Sequence, residues 1–214
     1  MKMQTLFGRM AATLSCAGLL VVFPGVRSGK AQPASETIGY EVVAQVLNPS
    51  SAQSLQYGYL NRVRGLNRIT TSAGATVSEA TALFTFYNGT QTERVINNGT
   101  IRMVDRTGTG AIYFGSGNND FANPDTFRQG TPVQNYTLRH QVVIDTATGY
   151  FTTTFEMTIT SVANFQIDGR TYRLGHPSGV YRMVVYGKLT TQSPPSAYIA
   201  GVADGAGVEL MDIN

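Results

Sequence analysis

Reactive side chains are scarce in this sequence. Cys16 is its one cysteine, and it sits inside an N-terminal apolar run as a small apolar filler. The rest of the chain can therefore form no disulfide, whatever its redox compartment. Lysine occurs only at positions 2, 30 and 188, which leaves little scope for lysine chemistry. Histidine occurs only at His140 and His176. Neither has a carboxylate at ligand spacing, so no zinc or iron signature is present and neither metal nor cofactor is expected. No Gly-x-Ser-x-Gly elbow accompanies Ser178. Gly108-Thr-Gly110 and Gly115-Ser-Gly117 lack the Lys-Ser/Thr of a phosphate loop. The carboxylates fall mostly at strand ends and turns, with no pair set for glycosidase chemistry.

The N-terminus has a recognisable layout. Lys2 and Arg9 precede the mostly apolar run Met10–Phe23, then Pro24-Gly25 breaks it and Gly29-Lys30-Ala31 offers small residues at −3 and −1 of a cut. This is the pattern of a secretory signal peptide, assigned to residues 1–31. The run is shorter than the ~20 residues that span a bilayer, so no stable membrane span is expected after the leader is removed. The leader also carries four of the sixteen bases. The remaining twelve face thirteen acids, for a formal charge of −1. The basic isoelectric point thus belongs to the leader, and nucleic acid is not an expected partner. The mature protein is expected to be secreted or periplasmic. Residues 32–37 read as a flexible mature start, and 38–214 as a single domain.

What that domain has in abundance is two-residue alternation, with no helical apolar stripe. Tyr136, Leu138, His140, Val142 and Ile144 share one strand face. Phe151, Phe155, Met157 and Ile159 line up opposite Thr152, Thr154, Glu156, Thr158 and Thr160. Tyr181, Met183, Val185 and Leu189 repeat the pattern. Strands with one wet and one dry face indicate antiparallel sheet. Turn chemistry is read at Asn88-Gly89, Asn98-Gly99, Asp168-Gly169, Asp145–Gly149 and Thr107–Gly110. Gly115–Pro132 reads as a long polar loop, and a final strand is expected at Ala197–Val202 or Val208–Ile213. The fold class is all-β: an antiparallel meander of eight to ten strands closing into a small barrel, with a β-sandwich as the alternative.

The candidate site follows from the inward phases. His140 falls in the middle of an apolar face. It is either a lone polar group in a cavity, able to orient a ligand or move a proton, or a core histidine bonded to a neighbouring strand. Tyr40, Tyr57, Tyr59, Phe84, Phe86, Tyr136, Phe155 and Tyr181 are assigned to inward phases with it. Together these nine form the candidate ligand-binding set, the alternative being that the rings simply fill the core. In size, leader, hairpin order and aromatic interior the chain is similar in outline to lipocalin-like and to dirigent or allene-oxide-cyclase-like barrels, a likeness of fold that does not determine function. Two functions follow as expectations. One is a non-catalytic barrel binding a small apolar or aromatic molecule, or a partner protein through the 115–132 loop. The other, implied by the resemblance, is a cofactor-free isomerase or cyclase acting inside the barrel, with His140 and the lumen tyrosines steering a proton or a reactive intermediate. The oligomeric state is left undefined.

Overall fold

The computed structural model describes residues 39–115, 117–191, 194–205 and 208–211. The assigned leader (1–31) and mature start (32–37) lie outside them. Four strands come first: β1 (Tyr40–Leu47), β2 (Gln53–Val63), β3 (Phe84–Asn98) and β4 (Ile101–Phe114). A 3₁₀ turn at Pro124–Arg128 leads to β5 (Thr131–Asp145) and β6 (Tyr150–Val162). The chain continues through β7 (Phe165–Ile167), β8 (Arg170–Leu174), β9 (Val180–Leu189), β10 (Ala197–Asp204) and β11 (Val208–Met211). Eight strands form a closed antiparallel barrel in the order β1-β10-β9-β6-β5-β4-β3-β2. Because β1 pairs with β2 on one side and with β10 on the other, the sheet has no edge, and the sandwich alternative falls. The expected final strand is β10, while Val208–Met211 joins β8 and β7 in a separate three-stranded sheet.

The dry faces of the strands point inward. Tyr40, Val42, Ala44 and Val46 from β1, Leu138 and Val142 from β5, and Met183 and Val185 from β9 are all buried. Phe155 and Met157 of β6 pair across to Met183 and Tyr181. Polar side chains on the outer surface of β4–β6 alternate with them, the reverse of a bilayer-spanning barrel, whose interior is polar. Among the described residues no helix is long and apolar enough to cross a membrane. The small sheet closes one end. Phe165 packs on Phe84 and Phe114 at centroid distances of 5.3 and 5.0 Å. Gln134 donates to the Leu174 carbonyl at 2.7 Å and accepts from the Tyr181 hydroxyl at 3.0 Å.

Three expectations need correcting. Asn88-Gly89 is no hairpin corner but lies in mid-strand within β3, opposite Gln56 and Leu55 of β2 and Gly110 and Thr109 of β4. Neither residue takes a positive φ, the conformation that makes Asn-Gly a turn. Asn88 instead points inward, fully buried, and accepts the Tyr136 hydroxyl hydrogen at 2.8 Å. Thr107–Gly110 likewise runs straight through β4. A Cβ on Gly110 would strike the Asn88 amide oxygen and lie 2.6 Å from the Tyr136 ring, so this glycine supplies space rather than a bend. The predicted turn at Asn98-Gly99 does occur, shifted by one residue: Asn98 pairs with Ile101, and Gly99, at φ 58°, opens the two-residue loop. Asp168-Gly169 and Asp145–Gly149 turn where predicted, with Asp168, Gly169 and Gly149 all at positive φ.

The third correction concerns the segment after Gly115. It is not an open polar loop but a strap laid on the outer face of β2 and β3. Phe127 is fully buried there, its carbonyl accepting from Thr85 Oγ1 at 2.8 Å. Phe127 lies 5.5 Å from Tyr57 with the rings tilted, and Phe121 lies 6.2 Å from both Tyr57 and Tyr59. Tyr57 and Tyr59 therefore point outward, under the strap, and not into the barrel. The dry phase read from their aromatic character is real for Tyr57, but a different layer covers it. Ser54, Gln56, Gly58 and Leu60 take the inward positions of β2, as their pairing with inward residues of β1 and β3 shows.

Gly110→Ala should cost about 1–3 kcal/mol, the usual penalty for forcing an extra methyl into a filled interior. Urea denaturation of the variant measures it, and an unchanged midpoint would mean that Asn88 and Tyr136 can separate freely.

Candidate functional site

The two halves of the barrel interior are filled differently. At the capped end, Tyr136 and Tyr181 meet edge to face at 5.9 Å, as do Tyr40 and Tyr181 at 5.8 Å. Leu60, Phe86, Ile112 and Met157 complete this packing and leave a void of only about 10 Å³. Burial pushes the hydroxyl pKa of all three tyrosines well above its ordinary value, so they stay protonated across the physiological range.

The other end holds a cavity of about 50 Å³. Val142, Ile144, Phe151, Phe155, Leu189 and Ile199 make its apolar wall, and Asn48, Ser54, Gln56, Arg106, His140 and Thr153 supply polar groups. Arg106 and His140 are directly opposed on β4 and β5, and His140 in turn opposes Phe155 on β6. The imidazole sits edge-on to the Phe155 ring at 4.7 Å and is 5 % exposed. Neither ring nitrogen has a hydrogen-bond partner among the described residues, and the same holds for Gln56 Oε1 and Asn48 Oδ1. Tyr40 Oη, Asn61 Oδ1 and Asn88 Nδ2 are also buried without a partner among the described residues, but only His140, Gln56 and Asn48 line this cavity.

The mouth beside Arg106 follows from strand lengths. The β2–β3 ladder ends at the Gln53–Gln91 pair, yet β3 continues to Asn98 in partnership with β4 alone. Thr92 is the last β3 residue held to the β1–β2 turn, its amide donating to Ala52 O at 2.8 Å and its hydroxyl to Ser51 O at 3.0 Å. Arg106 Nε donates to Thr92 Oγ1 at 3.2 Å. Its Nη1 and Nη2 make no hydrogen bond to the described residues, and no carboxylate among them pairs with it. Its pKa is drawn down by burial first and by Arg102 second. For His140, burial is again the larger cause and the Arg106 charge the next. Together they hold it at about 3, with Asp105 opposing weakly.

Of the nine candidate residues, then, His140 and Phe155 line the open cavity. Tyr40, Phe86, Tyr136 and Tyr181 form the packed half, Phe84 meets the cap, and Tyr57 and Tyr59 lie outside the barrel under the strap. Arg106 and Gln56 were missed. Reading Thr107–Gly110 as a turn ended the strand beside Arg106, whereas the alternation Val104, Arg106, Gly108, Gly110, Ile112 continues through it. His176 is exposed on a turn, with Nδ1 3.1 Å from Pro177 O.

Two wider concavities lie on the outer surface. One, about 810 Å³, runs over β4, β5 and β6 among Glu93, Asp105, Arg139, Glu156 and Arg182, and it reaches Arg106 and His140 from outside. Its charges are matched: Arg94 meets Asp105 at 2.5 Å, Gln141 donates to Asp105 at 3.1 Å, and Glu156 lies between Arg139 and Arg182 in register. Exposed pairs of this kind contribute at most about 1 kcal/mol each. The other, about 420 Å³, is an apolar face of β1, β9 and β10 that includes the exposed Tyr186 and Tyr198. Among the described residues no three His, Cys, Asp or Glu side chains gather at metal-binding distance. Comparison with protein-family models, curated proteins and solved structures yields no match.

The depressed pKa of His140 has a definite sign. An unfolded histidine takes up its proton near pH 6.5, whereas the folded one resists until about 3. The unfolded state binds more protons between those values, so stability falls as pH drops through that window. From pH 6.5 to 5 this one group should remove about 1.5 kcal/mol. Urea denaturation across that range should show a slope in the wild type that is absent in His140→Gln. Parallel curves would mean that His140 accepts a proton freely in the fold.

Proposed function

We propose that this chain is a non-catalytic binding protein, working outside the cytoplasm once the leader is removed, whose open barrel end takes one small, largely apolar ligand. The observation that carries this reading is the convergence of unpartnered buried polar atoms on the cavity at His140. Buried polar groups are almost always satisfied, and four atoms from His140, Gln56 and Asn48 that lack partners around one apolar-walled space are suited to a guest that supplies them.

The size of the space limits that guest. Sites for drug-sized molecules occupy about 300–1,000 Å³, whereas this cavity is about 50 Å³. The ligand accordingly inserts one end, with the remainder lying in the mouth along Ile144 and Leu189. The tyrosine-rich half is filled and takes no part. An isomerase or cyclase reading has less support, because acid–base catalysis works best with a pKa near the operating pH. His140 at about 3 and the three buried tyrosines, pushed the other way, are all far from it.

Native mass spectrometry tests the reading. Protein purified from its own host should carry a small-molecule adduct. Ala197→Leu, which places three more carbons in the cavity of about 50 Å³, should fold and come free of it. A bare mass on well-folded wild-type protein, or an adduct retained by the filled variant, would count against the site.

A further inference from the structure

We propose that the end of the ligand entering the barrel is a carboxylate, received by Arg106. This rests on the open cavity being the binding site, and it goes further by naming the chemistry of the guest. The first ground is charge. Arg106 faces inward between Val104 and Gly108 on its own strand, with Thr92 and His140 as its cross-strand neighbours. None of these offers a negative charge. The nearby acids all face outward and are engaged there: Asp105 with Arg94 and Gln141, and Glu93 with the Thr107 hydroxyl at 2.6 Å. A half-buried guanidinium with no counter-charge is costly, and an anion drawn in beside it removes that cost.

The second ground is geometry. One guanidinium nitrogen is already committed, Nε to Thr92, which orients the group and leaves Nη1 and Nη2 free as a two-pronged donor for a planar carboxylate. His140, opposite Arg106, is neutral and so keeps one N–H to donate and one nitrogen to accept. The third ground is size. A single water needs about 10–15 Å³ of such space, so a cavity of about 50 Å³ takes three or four water-sized groups. That matches a carboxylate and its first carbon. Beyond it the wall is apolar, through Val142, Ile144, Leu189 and Ala197, and suits a hydrocarbon or aromatic tail.

Isothermal titration calorimetry of the protein with hexanoate, hexanamide and inorganic phosphate tests the assignment. Hexanoate should bind at least tenfold more tightly than hexanamide. Arg106→Gln should reduce that ratio to near one, and Arg106→Lys should restore part of the preference. Circular dichroism of each variant reports folding, and the hexanoate/hexanamide ratio in the wild type stands even if a variant fails to fold. Equal affinity for hexanoate and hexanamide overturns the carboxylate but leaves the cavity as a binding site. Phosphate binding as tightly as hexanoate overturns it in favour of a different anion. No binding of any probe overturns both readings.

Discussion

The structure depends on closure. Once β1 has a hydrogen-bonded partner on each side, the perimeter of the interior is set by eight strands, and every inward side chain must fit a cross-section of fixed size. That constraint accounts for small residues where the sequence alone suggests turns. Gly110 leaves room for the Asn88 amide and the Tyr136 ring, and Gly187 leaves room for Phe151 and Ile199. Large and small residues are matched across strands, so the interior fills without breaking the ladder.

The filling is uneven, and the unevenness points to the site. At the capped end buried polar groups are built into the packing: Tyr136 bonds to Asn88, and Tyr181 reaches the cap through Gln134 and the Leu174 carbonyl. At the other end the small sheet is absent, β2 stops short of the β3–β4 arm, and a charged and a neutral base face each other across an apolar-walled cavity. Proteins tend to break packing rules where function requires it, and this end gathers four unpartnered buried polar atoms around one space beside an inward charge that has no carboxylate partner among the described residues. The same burial that makes those groups costly also takes His140 out of the range useful for proton transfer. A pocket that can orient a guest is thereby a poor place to do acid–base chemistry on it.

How much could be read in advance varied with the number of covered faces. Strands β5, β6 and β9 have one wet and one dry face, so alternation located His140, Phe155, Met157, Tyr181 and Met183 on the inner side. Strand β2 is covered on both faces, by the interior and by Phe121 and Phe127 of the strap. Aromatic character therefore could not tell which dry side was the lumen, and Tyr57 and Tyr59 were placed on the wrong one. Turn dipeptides behaved in the same way. Asp168-Gly169 turns because nothing flanking it competes for its backbone. Asn88-Gly89, of equal turn propensity, is held extended by ladders on both sides and by the buried bond to Tyr136.

The sequence by itself determined the all-β class, the inward face of the amphipathic strands and the inward position of His140, because period-two alternation and the paired positive-φ turn are local properties written residue by residue. Tertiary structure decided the rest: which Asn-Gly bends and which stays straight, which side of β2 faces the lumen, and that Arg106 stands opposite His140 at the open end. Those outcomes depend on what lies across the barrel or over its outer wall. Closure brings together residues tens of positions apart, and no local pattern encodes which neighbour will compete for a given backbone or fill a given gap.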